Sequence, residues 1–198
     1  MLTFTYRQGF SLIELLIGVA VLGIVLMVGL PSLATWIQNT HIRNQAEAVH
    51  SGLQLARAEA LRRNTQVRFQ LFDTLTAGCA ASTAGKSWVV SLADAGGQCN
   101  LAPAATGPQI IQKKDGDEGS PNSALIAAGG SLVTFNGLGR VANAAPLTQI
   151  DITNPIGGAC KTVAGDEPMR CLQIRVASGG QMRMCDPAVN AAADPRRC

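Results

Sequence analysis

The chain has 198 residues, room for one globular domain plus an anchor. Hydrophobic residues make up 47% of it and aromatics 4%, and a formal net charge of +3 is too small to give a general affinity for nucleic acid. His41 and His50 are the only histidines, nine residues apart along a helix and out of phase, so Ser-His-Asp and Cys-His catalysis has no support.

Met1 to Gly9 carries one basic side chain, Arg7, and no acid. Phe10 to Leu30 is then almost unbroken apolar sequence. Its twenty-one residues would reach roughly 31 Å as a helix, enough to cross a hydrocarbon core. The run is too long for a secretory signal peptide, and no small-residue cleavage pattern follows it. Glu14 stands out, because a carboxylate in a membrane segment costs about 2.5 kcal/mol or more and usually marks function. It lies about one helical turn after Phe10. If the chain were cut after Gly9, the new amine of Phe10 could pair with such a carboxylate, within one chain or between neighbours. Gly18, Gly23, Gly29 and Pro31 interrupt the same segment, which membrane helices tolerate.

The helical pattern continues past the span. Ile42, Ala46, Val49, Leu53, Ala56 and Ala60 recur at steps of four and three and form one apolar stripe. The spacing predicts a single helix from Phe10 to Arg63, with 10–33 as the membrane and assembly part and 34–64 as an amphipathic continuation. After Asn64 the period switches to two. Strands are expected at Gln66 to Phe72, Ser87 to Leu92, Gln109 to Lys113, Ser131 to Phe135, Thr148 to Thr153, Cys171 to Val176 and Gln181 to Cys185. The last two form a hairpin turning at Ser178 to Gly180. Ala93 to Thr106 and Gly116 to Ala128 are expected to be loops. The fold class is therefore α+β: a long N-terminal helix laid across an antiparallel β-sheet head spanning 65–198.

Cys79, Cys99, Cys160, Cys171, Cys185 and Cys198 all lie beyond the anchor, and none forms a C-x-x-C pair. That spacing is wrong for a zinc site, and the even count favours disulfides in an oxidising compartment such as a periplasm. Sequential pairing, 79–99, 160–171 and 185–198, would staple three local loops, at about 3 kcal/mol each.

No metal, cofactor or catalytic constellation is expected. Ala84 to Ser87 imitates the end of a phosphate loop, but a strand follows where a helix is required. The carboxylates of Asp115, Asp117 and Glu118 fail the EF-hand pattern and are read as a solvated turn. The basic charge gathers on the helix and at the C-terminus, where Arg170, Arg175, Arg183, Arg196 and Arg197 face only Asp186 and Asp194. A 185–198 bridge would bring Arg196 and Arg197 near Arg183, a grouping suited to phosphate.

The leader Arg7 to Ile17 (RQGFSLIELLI) resembles the class III signal of type IV pilins and type II secretion pseudopilins. The resemblance implies that a prepilin peptidase cuts between Gly9 and Phe10 and N-methylates Phe10. It further implies that Glu14 is the assembly carboxylate, and that the helix up to Pro31 can partly unwind in the filament. Downstream, LQLARAEALRRNTQVRF (Leu53 to Phe69), SWVVSL (Ser87 to Leu92), VTFNGLGRV (Val133 to Val141) and CLQIRVASGGQMRMCDP (Cys171 to Pro187) resemble the GspH/FimT-type minor pilins and pseudopilins. The implied protein is a non-enzymatic filament subunit with a single inner-membrane pass and a periplasmic head. Its partners would be other pilins or pseudopilins. Some FimT-type pilins bind DNA through a C-terminal G-R-x-R loop. Gly180 to Arg183 corresponds to it, with Arg183 matching the second arginine and Gln181 replacing the first. That makes Arg183, Arg196 and Arg197 the candidate DNA contacts.

Overall fold

The structure, a computed structural model, describes residues 10–103, 106–116 and 124–198, with the backbone alone at 28–31. The leader through Gly9, Asp117 and Glu118 lie outside the described residues.

One helix, α1, runs from Leu12 to Arg63. It begins two residues later than the apolar pattern indicated, because Ser11 takes an extended conformation as the N-cap and Glu14 reaches back to it. The far end stops at Asn64, whose left-handed backbone (φ 49°, ψ 42°) turns its N–H onto the carbonyls of Ala60 and Leu61. Arg62 and Arg63 in the last turn complement the negative end of the helix dipole. All six residues of the predicted stripe, Ile42 to Ala60, are fully buried.

The stripe is covered by two four-stranded antiparallel sheets rather than one. In chain order the strands are β1 (Val67–Phe72), β2 (Ser87–Ser91), β3 (Ile110–Lys114), β4 (Leu125–Ala128), β5 (Leu132–Phe135), β6 (Gln149–Thr153), β7 (Leu172–Val176) and β8 (Met182–Cys185). The first sheet has the order β3-β2-β1-β5 and the second β4-β6-β7-β8. One apolar core unites the helix stripe with Phe69, Trp88 and Phe135 of the first sheet and Ile126, Ile152 and Ile174 of the second. Every residue of β2 is buried, because its other face lies over a second cluster of Phe72, Val89, Ala95 and Ile110 around Cys79 and Cys99.

Strand β4 corrects the expectation of a loop over Gly116 to Ala128. It is four residues long and half alanine, so it carries little strand propensity of its own. Its place comes from the partner strand: Ile126 sits opposite Ile152 of β6, and both are buried.

Disulfides join Cys79 to Cys99, Cys160 to Cys171 and Cys185 to Cys198. The three sequential bridges tie, in turn, the loop over the first sheet, the β6–β7 connection and the C-terminal tail.

Candidate functional site

Two regions carry the candidate residues. At the start of α1 the Ser11 amide donates to the Glu14 carboxylate at 3.5 Å. That puts the carboxylate one residue from the Phe10 nitrogen, where a new amine would arise if the chain were cut before Phe10. Phe10 and the helix from Leu12 to Met27 are exposed on every side. A Cβ built at Gly18 or Gly23 would meet nothing within 4 Å. The chain itself covers none of this apolar length, and the segment is long and apolar enough to cross a membrane. The backbone stays helical through Gly29 and Pro31, so the helix passes without a break from the apolar segment into the head.

The second region is the tail. The register of β7 and β8 places Arg175 directly opposite Arg183, a pairing of like charges that is unfavourable alone. The tail resolves it. Bridged by Cys185–Cys198, it returns beside the end of β8, with Asp186 and Arg197 forming a parallel bridge and the Asp186 amide donating to the Arg196 carbonyl at 2.7 Å. Arg183 donates to the carbonyls of Arg197 and Pro195, and Arg175 to that of Cys198 at 3.0 Å. Arg175 also donates to Gln173 at 2.6 Å. The two arginines thus clasp the tail.

Arg196 pairs with Asp194 at 2.7 Å, and its side-chain hydrogen bonds hold the Asp194 carboxyl at about 2, below the ordinary 3.8. Arg170 pairs with the buried Asp186 at 3.0 Å. The expected grouping of three forms only in part: Arg183 and Arg197 line one cleft beside the tail, where Arg183 is engaged by main-chain carbonyls, whereas Arg196 pairs with Asp194 and lines a different cleft with Arg170 and Asp186. Among the described residues, the exposed Arg197 guanidinium has no acceptor.

Other sequence features resolve as architecture. Gly85, in the pseudo-phosphate-loop stretch, lies so close to the Phe72 carbonyl that a Cβ would clash, and β2 starts at Ser87. No group of metal-ligating side chains forms among the described residues. Contacts the sequence did not reveal hold the helix to the head at both ends. Asn154, fully buried, donates to the Gln38 side chain at 2.7 Å and to its carbonyl at 3.3 Å. Asn39 donates to the Pro168 carbonyl at 3.1 Å and accepts from the Arg170 amide at 2.7 Å. At the other end Arg57 donates to the Gly139 carbonyl at 3.1 Å. More than 80 residues separate the partners of each contact, so no spacing rule could have found them.

Two family models match the chain. One, described as Type II transport protein GspH, covers residues 45–180. The other, described as a prokaryotic N-terminal methylation motif, covers residues 5–30. No curated protein matches the sequence. Among solved structures, the type IV minor pilin FimU of Pseudomonas aeruginosa is similar in two crystal forms. One has a TM-score of 0.49 at 15% identity, covering 75% of this chain and 91% of FimU. The other has a TM-score of 0.45 at 16% identity, covering 72% and 90%.

Proposed function

The chain belongs to the GspH family and carries the N-terminal methylation motif, and from that premise we propose that it is a minor pilin of a type IV pilus. It is cut between Gly9 and Phe10 by a prepilin peptidase and methylated at Phe10. It is held in the inner membrane with its head in the periplasm, then built into the filament near the tip, where it primes assembly. The observation that carries this reading is α1 itself. Its first half is apolar on every face, covered by nothing in its own chain, and marked by a single carboxylate at Glu14; its second half is locked into a head bearing three disulfides. Such a segment is completed by lipid or by equivalent helices. Against equivalent helices a buried carboxylate needs a cationic partner, which the Phe10 amine of a neighbour supplies.

A second reading is favoured by the family description: a minor pseudopilin of a type II secretion system. The same experiment decides between them. Deleting the gene should abolish twitching motility and surface filaments while leaving exoprotein secretion intact. Loss of secretion with normal twitching would instead assign the chain to the secretion system.

DNA capture is a separate proposal resting on the arginine tail. Arg197 would lead it, since Arg183 and Arg196 hold the tail together. The purified full chain in detergent should retard duplex DNA, less so as salt rises. Retardation unchanged by Arg197→Ala would remove that proposal.

A further inference from the structure

We propose that the β6–β7 connection is a lipid-contacting foot, which rests with Trp36 on the outer headgroup layer of the membrane that α1 crosses. The inference rests on the membrane-anchored reading of α1 and adds a second contact, made by the head.

The placement follows from the helix. If the apolar run ends at the bilayer boundary near residue 30, Trp36 lies about 9 Å and Gln38 about 12 Å farther along the axis. The interfacial layer on each side of the hydrocarbon is about 5–7 Å deep. Side chains on a helix lean toward its N-terminus, so the Trp36 ring is carried back toward that layer, where tryptophan is enriched. Trp36 is 65% exposed, and its neighbours Leu33 and Ile37 are exposed as well.

The head reaches the same level from the other direction. Strand β6 leaves the Arg57 end of the helix and ends beside Gln38, where Asn154 is bonded. The connection then returns to Asn39 through Pro168 and Arg170. Everything between these anchors hangs at the membrane end of the second sheet, and the Cys160–Cys171 bridge holds it in shape. It presents Ile156, 64% exposed, and Val163, 58% exposed. Large apolar side chains on a short stapled loop at helix-exit level have lipid as their nearest apolar phase.

The charges nearby say what kind of surface is met. Lys161 pairs with Asp166 at 2.8 Å, and the Glu167 carboxylate accepts from the Thr162 amide at 3.2 Å. Arg170 is paired with Asp186, so the described residues of this connection carry no cationic excess, and the attraction is apolar and does not call for anionic lipid.

The test uses the full chain in phosphatidylcholine vesicles whose acyl chains are brominated near the headgroup. In a Trp36→Phe background, tryptophan is placed singly by Ile156→Trp, Val163→Trp and, as a control at the opposite end of the head, Leu138→Trp. All three positions are exposed, so the fold is not challenged. The expected result is about a twofold loss of the added emission at 156 and 163, as for native Trp36, with none at 138 and no dependence on salt. Quenching of Trp36 with silence at 156 and 163 overturns the foot while leaving the anchor standing. Burial of 156 and 163 only after filament incorporation assigns the surface to a neighbouring subunit and also overturns it. A chain that does not float with the vesicles fails at the anchor, a different and separately visible failure.

Discussion

Asn154→Ala tests how the head is held to the helix at the end nearer the apolar segment. Asn154 is fully buried, donates to the Gln38 side chain at 2.7 Å and to the Gln38 carbonyl at 3.3 Å, and accepts from the Ile156 amide at 3.2 Å. Losing the short bond costs about 1–1.5 kcal/mol, and the turn bond to Ile156 about 0.5–1. The missing amide leaves a small void and an unpaired Gln38 oxygen at about 1 kcal/mol more. The sum is about 3 kcal/mol, which for a chain of this size is a fall in Tm of roughly 6–12 °C. Thermal unfolding of the full-length protein in detergent, followed by near-ultraviolet circular dichroism, reads it. Because Gln38 and Asn154 share the bond, Gln38→Ala and the double variant should be non-additive, with a coupling on the order of 1 kcal/mol. A Tm drop under about 2 °C, or strict additivity, would refute the view that this pair clamps the helix.

Glu14→Ala should be processed and inserted normally yet be depleted from sheared filaments relative to the membrane fraction; equal incorporation would refute the register role. Glu59 is held at about 2, well below the ordinary 4.5, first by the Arg62 and then by the Arg63 side-chain hydrogen bonds. A depressed carboxyl stabilises the fold above its unfolded value and loses that stabilisation as pH falls from about 4.5 to about 2. Tm measured against pH should therefore decline less across that window in Glu59→Gln than in the wild type. Gly180→Ala should cost about 2 kcal/mol or more, because φ is +81° and a Cβ would collide with the Gly139 carbonyl; an unchanged Tm would mean the turn repacks freely. Replacing Cys185 and Cys198 together by Ser should release the tail, seen as early tryptic cleavage at Arg196 or Arg197, with a stability loss of about 3 kcal/mol; undiminished protease resistance would show that the Arg175 and Arg183 clasps suffice.

What could be read from the sequence was what is local and periodic. The stripe from Ile42 to Ala60 and the alternation of Val67, Phe69 and Leu71 each repeat an element's own period, and both are buried in the structure. The hairpin turn at Ser178 to Gly180 was visible because glycine adopts the positive φ found at Gly180 at the least steric cost. Strand β4 was hidden because Leu125–Ala128 depends on β6 for its place. The split into two sheets was hidden too, since period-two patterns do not say which strands pair. At the candidate site, charge composition marked the arginines but not their acceptors. Arg183 and Arg175 are bound to main-chain carbonyls, and a carbonyl leaves no trace in a sequence.

The clamps at the two ends of the buried stripe have a mechanical consequence. Near the apolar segment, Gln38 and Asn39 are tied to the second sheet through Asn154, Pro168 and Arg170. Near the far end, Arg57 is tied to Gly139, which itself lies against Gly180 of the β7–β8 turn, so the two sheets and the helix meet at one seam. Between the clamps the stripe is fully buried and close-packed, and close-packed interfaces shift between discrete arrangements rather than deforming smoothly. The helix is continuous from Leu12, so an axial position set at Glu14 is passed along about 36 Å of α1 to the first clamp at Gln38 with little slack. A one-residue slip of Glu14 against a neighbouring helix would displace the head by about 1.5 Å along the filament axis and turn it by about 100° around the helix. On the proposed reading, the single carboxylate of Glu14 would thus select one docking pose for a head that begins more than twenty residues away, without contacting it.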